Sequence, residues 1–498
     1  MNDVITKSLY CSLLFCDRYA WLSKNKPEKY IEKKKEDILQ NGKEVGDLAR
    51  NLFGDYELIE FNKNLNVMID DTLESVERGT HVIAEASFKF DNTFCSVDIL
   101  KNDLDGVEIY EVKSSTEIQD IYLEDVAFQM YVLRHLGYRV KKANIVYLNS
   151  DYVRHGDLEL DKLFIIEDVT EEVKVREKNV KDNVTRILTN LKSKEEVTNE
   201  IDSYCFKPYE CPFTEYCMKD LPKPNIFDIR RMKITDKLKL YKAGKISFED
   251  LVNENLNEKY LQQIDYELND KEDYINKENI EEFLGKLSYP LYFLDFETYQ
   301  QAIPLYDGVS PYMQIPFQYS LHYIKEDGGE LNHTEFLGEE GTDPRRKLAL
   351  SLISDIDING CILAYNMSFE KGVIKNLAKM YPDLEENLMR IHDNIVDLMV
   401  PFYNRDYYTK NMKGSYSIKY VLPALFPDDP SLNYHNLKLI HNGSEAMNAF
   451  NTLTDYNDEQ RTIIRKNLLE YCKLDTFAMV KIWQKLNEIC GKNIDISI

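Results

Sequence analysis

This chain is short of positive charge. Its 498 residues carry 86 Asp and Glu against 62 Lys and Arg, a formal net charge of −24. Such a chain is no bulk electrostatic trap for phosphates, so any hold on nucleic acid must come from local basic patches and bound metal ions. No apolar run reaches about 18 residues, and no membrane span is read. The opening MNDVITKSLYCSLLFCDRYAWL lacks the charged start, long apolar core and small-residue cleavage site of a secretory signal, so the expected location is cytoplasmic. Nine cysteines, an odd number without an export signal, do not read as a disulfide framework. No repeat is evident at periods of roughly 20 to 50 residues. The G-x-x-x-x-G-K-[ST] motif is absent, which argues against an intrinsic ATP-driven motor.

What is present fits a folded protein of two or three domains, with 43% hydrophobic and 12% aromatic residues. Residues 1–220 open with helical patterning and pass through the strand-like runs VIAEASFKF, FCSVDILK and VEIYEVKS. They return to helix at LEDVAFQMYVLRHLG and to strand at VKKANIVYLN, and 165–203 reads as charged helix. The alternation predicts α/β architecture. LPKPNIFDI marks a boundary, and 221–286 reads as a helical linker. Within it, 223–245 holds eight Lys or Arg and two Asp. This basic island is either a solvated helix face or a phosphate-contacting bridge. A second α/β domain spans 287–498.

That domain begins with LYFLDFETYQ, an apolar strand ending in Asp295 and Glu297. Residues i and i+2 of a strand share a face, and two adjacent carboxylates raise each other's pKa, so the pair asks for a cation. Downstream, the strand CILAY leads to Glu370 near a helix start, and YCKLD places Tyr471 and Asp475 on one helix face. In this order the residues resemble the DEDD 3′→5′ exonucleases of the DnaQ-like group, in the tyrosine-bearing subclass, with an RNase H-like fold. The resemblance implies that Asp295, Glu297, Glu370 and Asp475 hold Mg²⁺ or Mn²⁺ and that Tyr471 orients the attacking water. Glu370 stands where that family has Asp. Asn366, Asp397 and GSYSIKYVLP occupy supporting positions, although Asp397 reads equally well as a helix cap or a surface acid.

A second group lies near the N-terminus. Asp98 follows an apolar Val at the head of a strand, and Glu111 and Lys113 share a face of the next. Acids that hold a metal beside a lysine that polarises water suit hydrolysis. Glu111 and Lys113 alone also read as a salt bridge on an exposed strand. Asp98, Glu111 and Lys113 resemble the PD-(D/E)xK nuclease core, and Gln129 in DVAFQMYVLRHLGY resembles the glutamine of its RecB-like branch. There Asp98 and Glu111 are implied metal ligands and Gln129 an active-site contact. Glu85, in IAEASF, fits the same sheet. RecB-like enzymes place a His on the preceding helix; GKEVGDLAR has Gly46 there, with Glu44 nearby.

CFKPYECPFTEYC spaces Cys205, Cys211 and Cys217 with five residues between neighbours, and CDRYAWL carries Cys16 far upstream. Four thiolates suit a [4Fe–4S] cluster; zinc and buried free thiols are the alternatives. One cysteine before the nuclease-like core and three after it resembles the iron–sulfur RecB-like nucleases of the AddB and CRISPR-associated exonuclease type. The resemblance favours Cys16 as fourth ligand over Cys11 and implies a structural cluster.

Together these resemblances point to a metal-dependent nuclease acting on DNA or RNA, with a 3′→5′ exonuclease site in the C-terminal domain and a second nuclease site in the N-terminal one. The whole chain is similar to a largely uncharacterised bacterial family that joins the two modules. Unwinding would fall to a partner helicase. Two other classes stay open: an N-terminal module that only binds nucleic acid, and a non-catalytic iron–sulfur scaffold.

Overall fold

Strands and helices alternate along the chain in the computed structural model, which describes residues 4–31, 36–207, 210–357, 359–492 and 494. The architecture is α/β, in two compact units. The first comprises Met1–Asp220 with Gln301–Met313; the second comprises Leu221–Gln300 with Gln314–Ile498. Residues 221–286 thus belong to the second unit. No described helix is long and apolar enough to cross a membrane.

The first unit is built on one sheet. Its strands are β1 (Ile5–Thr6), β2 (Glu57–Leu58), β3 (Val82–Phe90), β4 (Thr93–Asp103), β5 (Gly106–Lys113), β6 (Val140–Leu148) and β7 (Phe164–Asp168). The order is β2-β3-β4-β5-β6-β7, and β1 lies parallel to the start of β4. Helices α1 (Lys7–Leu13), α2 (Asp17–Asn25) and α3 (Glu36–Arg50) precede the central strands, and α4 (Asp120–His135) links β5 to the parallel β6. Alternation along β5 sorts its side chains. Val107 and Ile109 pack with Val126, Phe128 and Met130 of α4. Tyr110 packs on the other face with Val45 and Ala49 of α3 and with Ala302 from the 301–313 segment.

The charged stretch 165–203 is not all helix. Its start, FIIED, is the edge strand β7, antiparallel to β6, followed by helices Thr170–Glu177 and Val180–Lys192. An edge strand exposes polar side chains, which makes its composition resemble a solvated helix.

The second unit has a five-stranded sheet of β8 (Leu291–Tyr299), β9 (Ile315–Ile324), β10 (Asn332–Leu337), β11 (Cys361–Ala364) and β12 (Ile395–Asp397). The order is β10-β9-β8-β11-β12. β9 runs antiparallel to both neighbours, and β11 runs parallel to β8 and β12. Helices α5 (Ser368–Met380), α6 (Ile418–Leu425), α7 (Gly443–Asn451) and α8 (Asp458–Ile489) complete the parts that matter here. Leu291 and Phe293 pack with Ala478, Ile482 and Trp483 of α8. Tyr292, Leu294 and Phe296 pack on the opposite face with Val373, Ile374 and Leu377 of α5. By the same alternation, Asp295 and Glu297 face α8.

The β4–β5 turn makes a testable demand. Gly106 has φ +137, and a Cβ there would sit 2.4 Å from the Arg139 carbonyl oxygen. Gly106→Ala adds backbone strain to a clash with main chain that has no rotamer to move. It is expected to lower stability by roughly 2–4 kcal/mol. Denaturant unfolding of the variant beside the wild type checks this.

Candidate active site

In the second unit, strand alternation and helix register bring three of the four predicted acids together, and Glu370 is not part of that group. One carboxylate oxygen each from Asp295, Glu297 and Asp475 lies within 4.8 Å of the others. The register of α8 against the sheet is set by side chains of β9. Gln318, which pairs with Glu297 across the ladder, donates to the Leu468 carbonyl at 2.8 Å. Fully buried Thr476 bonds Ser320 Oγ at 2.7 Å and His322 Nδ1 at 2.8 Å. These contacts fix the rotation of α8 that turns Tyr471 and Asp475 toward β8.

Glu370 is the third residue of α5 and is 2% exposed; its Oε2 has no hydrogen-bond partner. A buried carboxylate oxygen without a donor is costly, and a cation would supply what the protein does not. Asp397 has a different task. Its carboxylate accepts the backbone N–H groups of Asn366 at 2.9 Å, Met367 at 3.2 Å and Met399 at 3.0 Å. It holds the turn in which Asn366 adopts φ 72 and from which α5 starts. It is therefore a brace for the segment that carries Glu370.

Burial dominates the electrostatics. It pushes Glu297 up to about 8, reinforced by Asp475 and Glu370 and opposed by Lys419. It pushes Glu370 up to about 8, with Asp397 adding to the effect. Asp295 is driven well above the carboxylate range by burial, then by Asp475, Glu297 and Glu370. Asp475 reaches only about 6, because the hydroxyls of Tyr434 and Tyr471 and the charge of Lys419 work against burial. The Tyr434 hydroxyl donates to Asp475 Oδ1 at 2.6 Å. A cavity of about 590 Å³ opens beside these groups, lined in part by Lys419, Tyr434, His435, Tyr471 and Asp475. Tyr434 has no signal in the sequence: it lies 41 residues before its partner, in a 3₁₀ turn.

The basic island is built into this unit. Arg230 lies over the Tyr420 ring at 4.9 Å and Arg231 over Tyr416 at 4.4 Å, so both stack on GSYSIKYVLP, the segment that carries Lys419. Lys237 departs from the solvated-face alternative: it is half-buried, burial lowers it to about 8, and it donates to the Phe227 carbonyl at 2.7 Å.

In the first unit the predicted residues also meet, but around ammonium groups. Asp98 lies mid-strand, not at a strand head. The β4–β5 ladder ends at Ile99↔Tyr110, and Asp98 Oδ2 takes the Val112 N–H at 2.8 Å. Lys7 Nζ stands 3.1 Å from Asp98 Oδ1, and 3.0 and 2.9 Å from the two Glu111 oxygens. Lys113 bridges Glu111 and Asp125, each at 2.7 Å. Gln129 donates to Glu111 at 2.7 Å and Asp125 at 3.1 Å. Burial, Asp125 and Asp98 push Glu111 up to about 7 against the two lysines. Burial also acts to raise Asp125, but Lys113 and Lys7 outweigh it and hold that group well below the carboxylate range. Glu85, at φ 58, pairs with Arg50 at 2.9 Å. Glu44 is exposed, and Gly46 lies on α3 with open space around the position a Cβ would take. Lys7 and Asp125 escape the sequence motifs. Asp125 was within reach, lying one helical turn before Gln129; a lysine just after a two-residue strand gives no local pattern.

Cys16, Cys205, Cys211 and Cys217 line one cavity of about 360 Å³. Cys11 lines it too, but its charged neighbours are Asp125, Lys113, Glu111 and Lys7, whereas Cys205 feels Cys16, Cys211 and Cys217. Cys16 caps α2, whose Trp21 and Leu22 pack with Phe213 and Tyr216 beside Cys211 and Cys217. A single tetrahedral zinc would draw its sulfurs to about 3.8 Å of one another. Among the described residues, no three of these thiols meet within 4.8 Å.

A family model described as a domain of unknown function (DUF2779) matches residues 292–417, a stretch that holds Asp295, Glu297 and Glu370 and ends before Tyr471. An uncharacterised protein of Mycoplasma genitalium is 27% identical over 225 residues, 42% of this chain and 34% of its own length. An uncharacterised protein of Ureaplasma parvum is 27% identical over 227 residues, 40% of this chain and 32% of its own. The chain thus spans about a third of the length of these curated relatives.

Two predictions follow from the chemistry of these sites. A carboxyl group raised in the folded state loses its proton first in the unfolded chain. Native stability of the metal-free protein therefore falls as pH climbs from the ordinary 4.5 toward the folded value near 8 of Glu297 and Glu370. Metal binding needs those groups deprotonated and strengthens over the same window. The rise in melting temperature caused by Mn²⁺ is expected to be larger at pH 8 than at pH 6, with net proton release in calorimetry. Separately, Cys205→Ser is expected to lower the iron and sulfide content of anaerobically purified protein, while Cys361→Ser leaves both unchanged.

Proposed function

We propose that this chain is a divalent-metal-dependent nuclease whose C-terminal unit removes nucleotides from the 3′ end of DNA or RNA. The observation that carries the reading is the convergence of Asp295, Glu297 and Asp475, with the buried carboxylate of Glu370, one oxygen unpartnered, near enough to raise Asp295 and Glu297. The sheet order, with three antiparallel strands followed by two parallel ones and a long final helix, supports the RNase H-like reading of this unit. Mg²⁺ or Mn²⁺ bound there supplies water activation and charge stabilisation at the leaving oxygen. The protein's part is to hold four carboxylates in place, to aim the Tyr471 hydroxyl, and to bring phosphates in. Lys419, Arg230 and Arg231 give an acidic protein the local positive charge for that approach.

The first unit is read as a RecB-like module with an iron–sulfur cluster on Cys16, Cys205, Cys211 and Cys217. Its helix, three antiparallel strands, helix and parallel strand support the PD-(D/E)xK comparison. A second reading makes it a binding module that presents a strand to the exonuclease. Lys7, seated between Asp98 and Glu111, favours that reading. Unwinding, where needed, falls to a partner helicase.

The test is degradation of end-labelled single- and double-stranded DNA and RNA with Mg²⁺ or Mn²⁺. Asp295→Ala is expected to reduce 3′-end trimming by more than about 100-fold, and Tyr471→Phe by about 10–100-fold. Trimming that survives Asp295→Ala sinks the assignment. A wild type inert on every substrate would favour the non-catalytic scaffold.

A further inference from the structure

The resemblance of Asp98, Glu111 and Lys113 to a PD-(D/E)xK core implies a divalent ion between the two acids. The residues present do not fit one. Lys7 Nζ lies 2.9 to 3.1 Å from three of the four carboxylate oxygens of Asp98 and Glu111. A Mg²⁺ or Ca²⁺ ion would bind the same oxygens at about 2.0–2.6 Å, within the volume the ammonium fills. Every oxygen is also claimed. Asp98 Oδ2 has the Val112 N–H, Glu111 Oε1 has Lys113, and Glu111 Oε2 has Gln129. This contrasts with Glu370, whose Oε2 has no donor.

The ammonium is delivered by well-fixed backbone. Ile5 and Thr6 pair with Thr93 and Phe94 of β4, the strand that carries Asp98. The Ile5 N–H donates to the Asn92 carbonyl at 2.7 Å. Thr6 Oγ1 caps α1 by accepting the Leu9 N–H, and Tyr10 and Leu13 of α1 are buried in the core. Lys7 is the first residue of α1, directly after β1. Withdrawing it would mean breaking the β1–β4 pairing or unseating α1.

We propose that Lys7 is the resident cation of the N-terminal carboxylate site. It replaces the divalent ion, and Asp98 and Glu111 tie the start of the chain to the central sheet instead of forming a metal centre. The first unit then acts on nucleic acid by binding and not by cutting. The choice of divalent ion as the displaced ligand rests on the PD-(D/E)xK reading; the C-terminal exonuclease assignment is independent of it.

The experiment counts Mn²⁺ bound per full-length chain by electron paramagnetic resonance. An Asp295→Asn, Asp475→Asn background silences the other carboxylate site. With Lys7 intact, Glu111→Gln is expected to change the Mn²⁺ count by nothing. Lys7→Met is expected to add one Mn²⁺ per chain, which Glu111→Gln then removes, while Lys7→Arg adds none. Glu111-dependent Mn²⁺ in the chain with Lys7 intact overturns the proposal, and so does a folded Lys7→Met that gains none. Should Lys7→Met fail to fold, the Lys7-intact pair still decides between occupancy by metal and by ammonium. Trimming assayed in the chain with Asp295 and Asp475 intact reports on the exonuclease separately.

Discussion

Repulsion among carboxylates held close together away from water is the force around which both units are arranged. Burial disfavours each charge, neighbouring acids add to the effect, and the sum must be met by protonation or by a cation. In the second unit Asp295 and Glu297 feel both Asp475 and Glu370, and Lys419, two tyrosine hydroxyls and the Cys472 thiol relieve the group. In the first, Asp98, Glu111 and Asp125 are interleaved with Lys7 and Lys113. The same problem has an open solution in one unit and a closed one in the other.

Much of the surrounding structure follows from holding these groups still. The contacts of Gln318 and Thr476 that fix the rotation of α8 are fully buried, as befits bonds that set a register and do not serve solvation. Asp397 spends its whole charge on three backbone N–H groups, which is how Asn366 is kept at positive φ and α5 started where Glu370 can turn inward. Side chains that touch no candidate substrate thus decide where the candidate ligands stand.

The strands that carry chemistry were legible because alternation is local: β3 to β6, β8 and β11 show in the sequence, and so does the shared face of Asp295 and Glu297. Tyr471 and Asp475 were legible for the matching reason on a helix. The edge strand β7 was not, since its outward residues are charged. Lys7 and Tyr434 were hidden because their partners lie 104 and 41 residues away, at separations no periodicity encodes. The spacing of Cys205, Cys211 and Cys217 was legible, whereas the cavity they share with Cys16, and the charged groups that surround Cys11, emerged only in three dimensions. The 301–313 segment gave no sign of leaving the unit in which β8 lies.

That segment bears on the order in which the chain acquires structure. Ala302, Ile303 and Tyr312 belong to the core that covers Val82, Ile99 and Tyr110, and the Tyr312 hydroxyl donates to the Ser114 carbonyl just beyond Lys113. A ribosome that has released residue 220 has not yet supplied this part of the first unit's core. The part of that face lying under Ala302, Ile303 and Tyr312 stays open until residue 313 emerges, by which time the linker helices and β8 are already outside. Non-local closure of this kind slows folding and prolongs exposure of apolar surface. The two units are therefore interleaved in time during synthesis, and neither corresponds to one uninterrupted stretch of the gene.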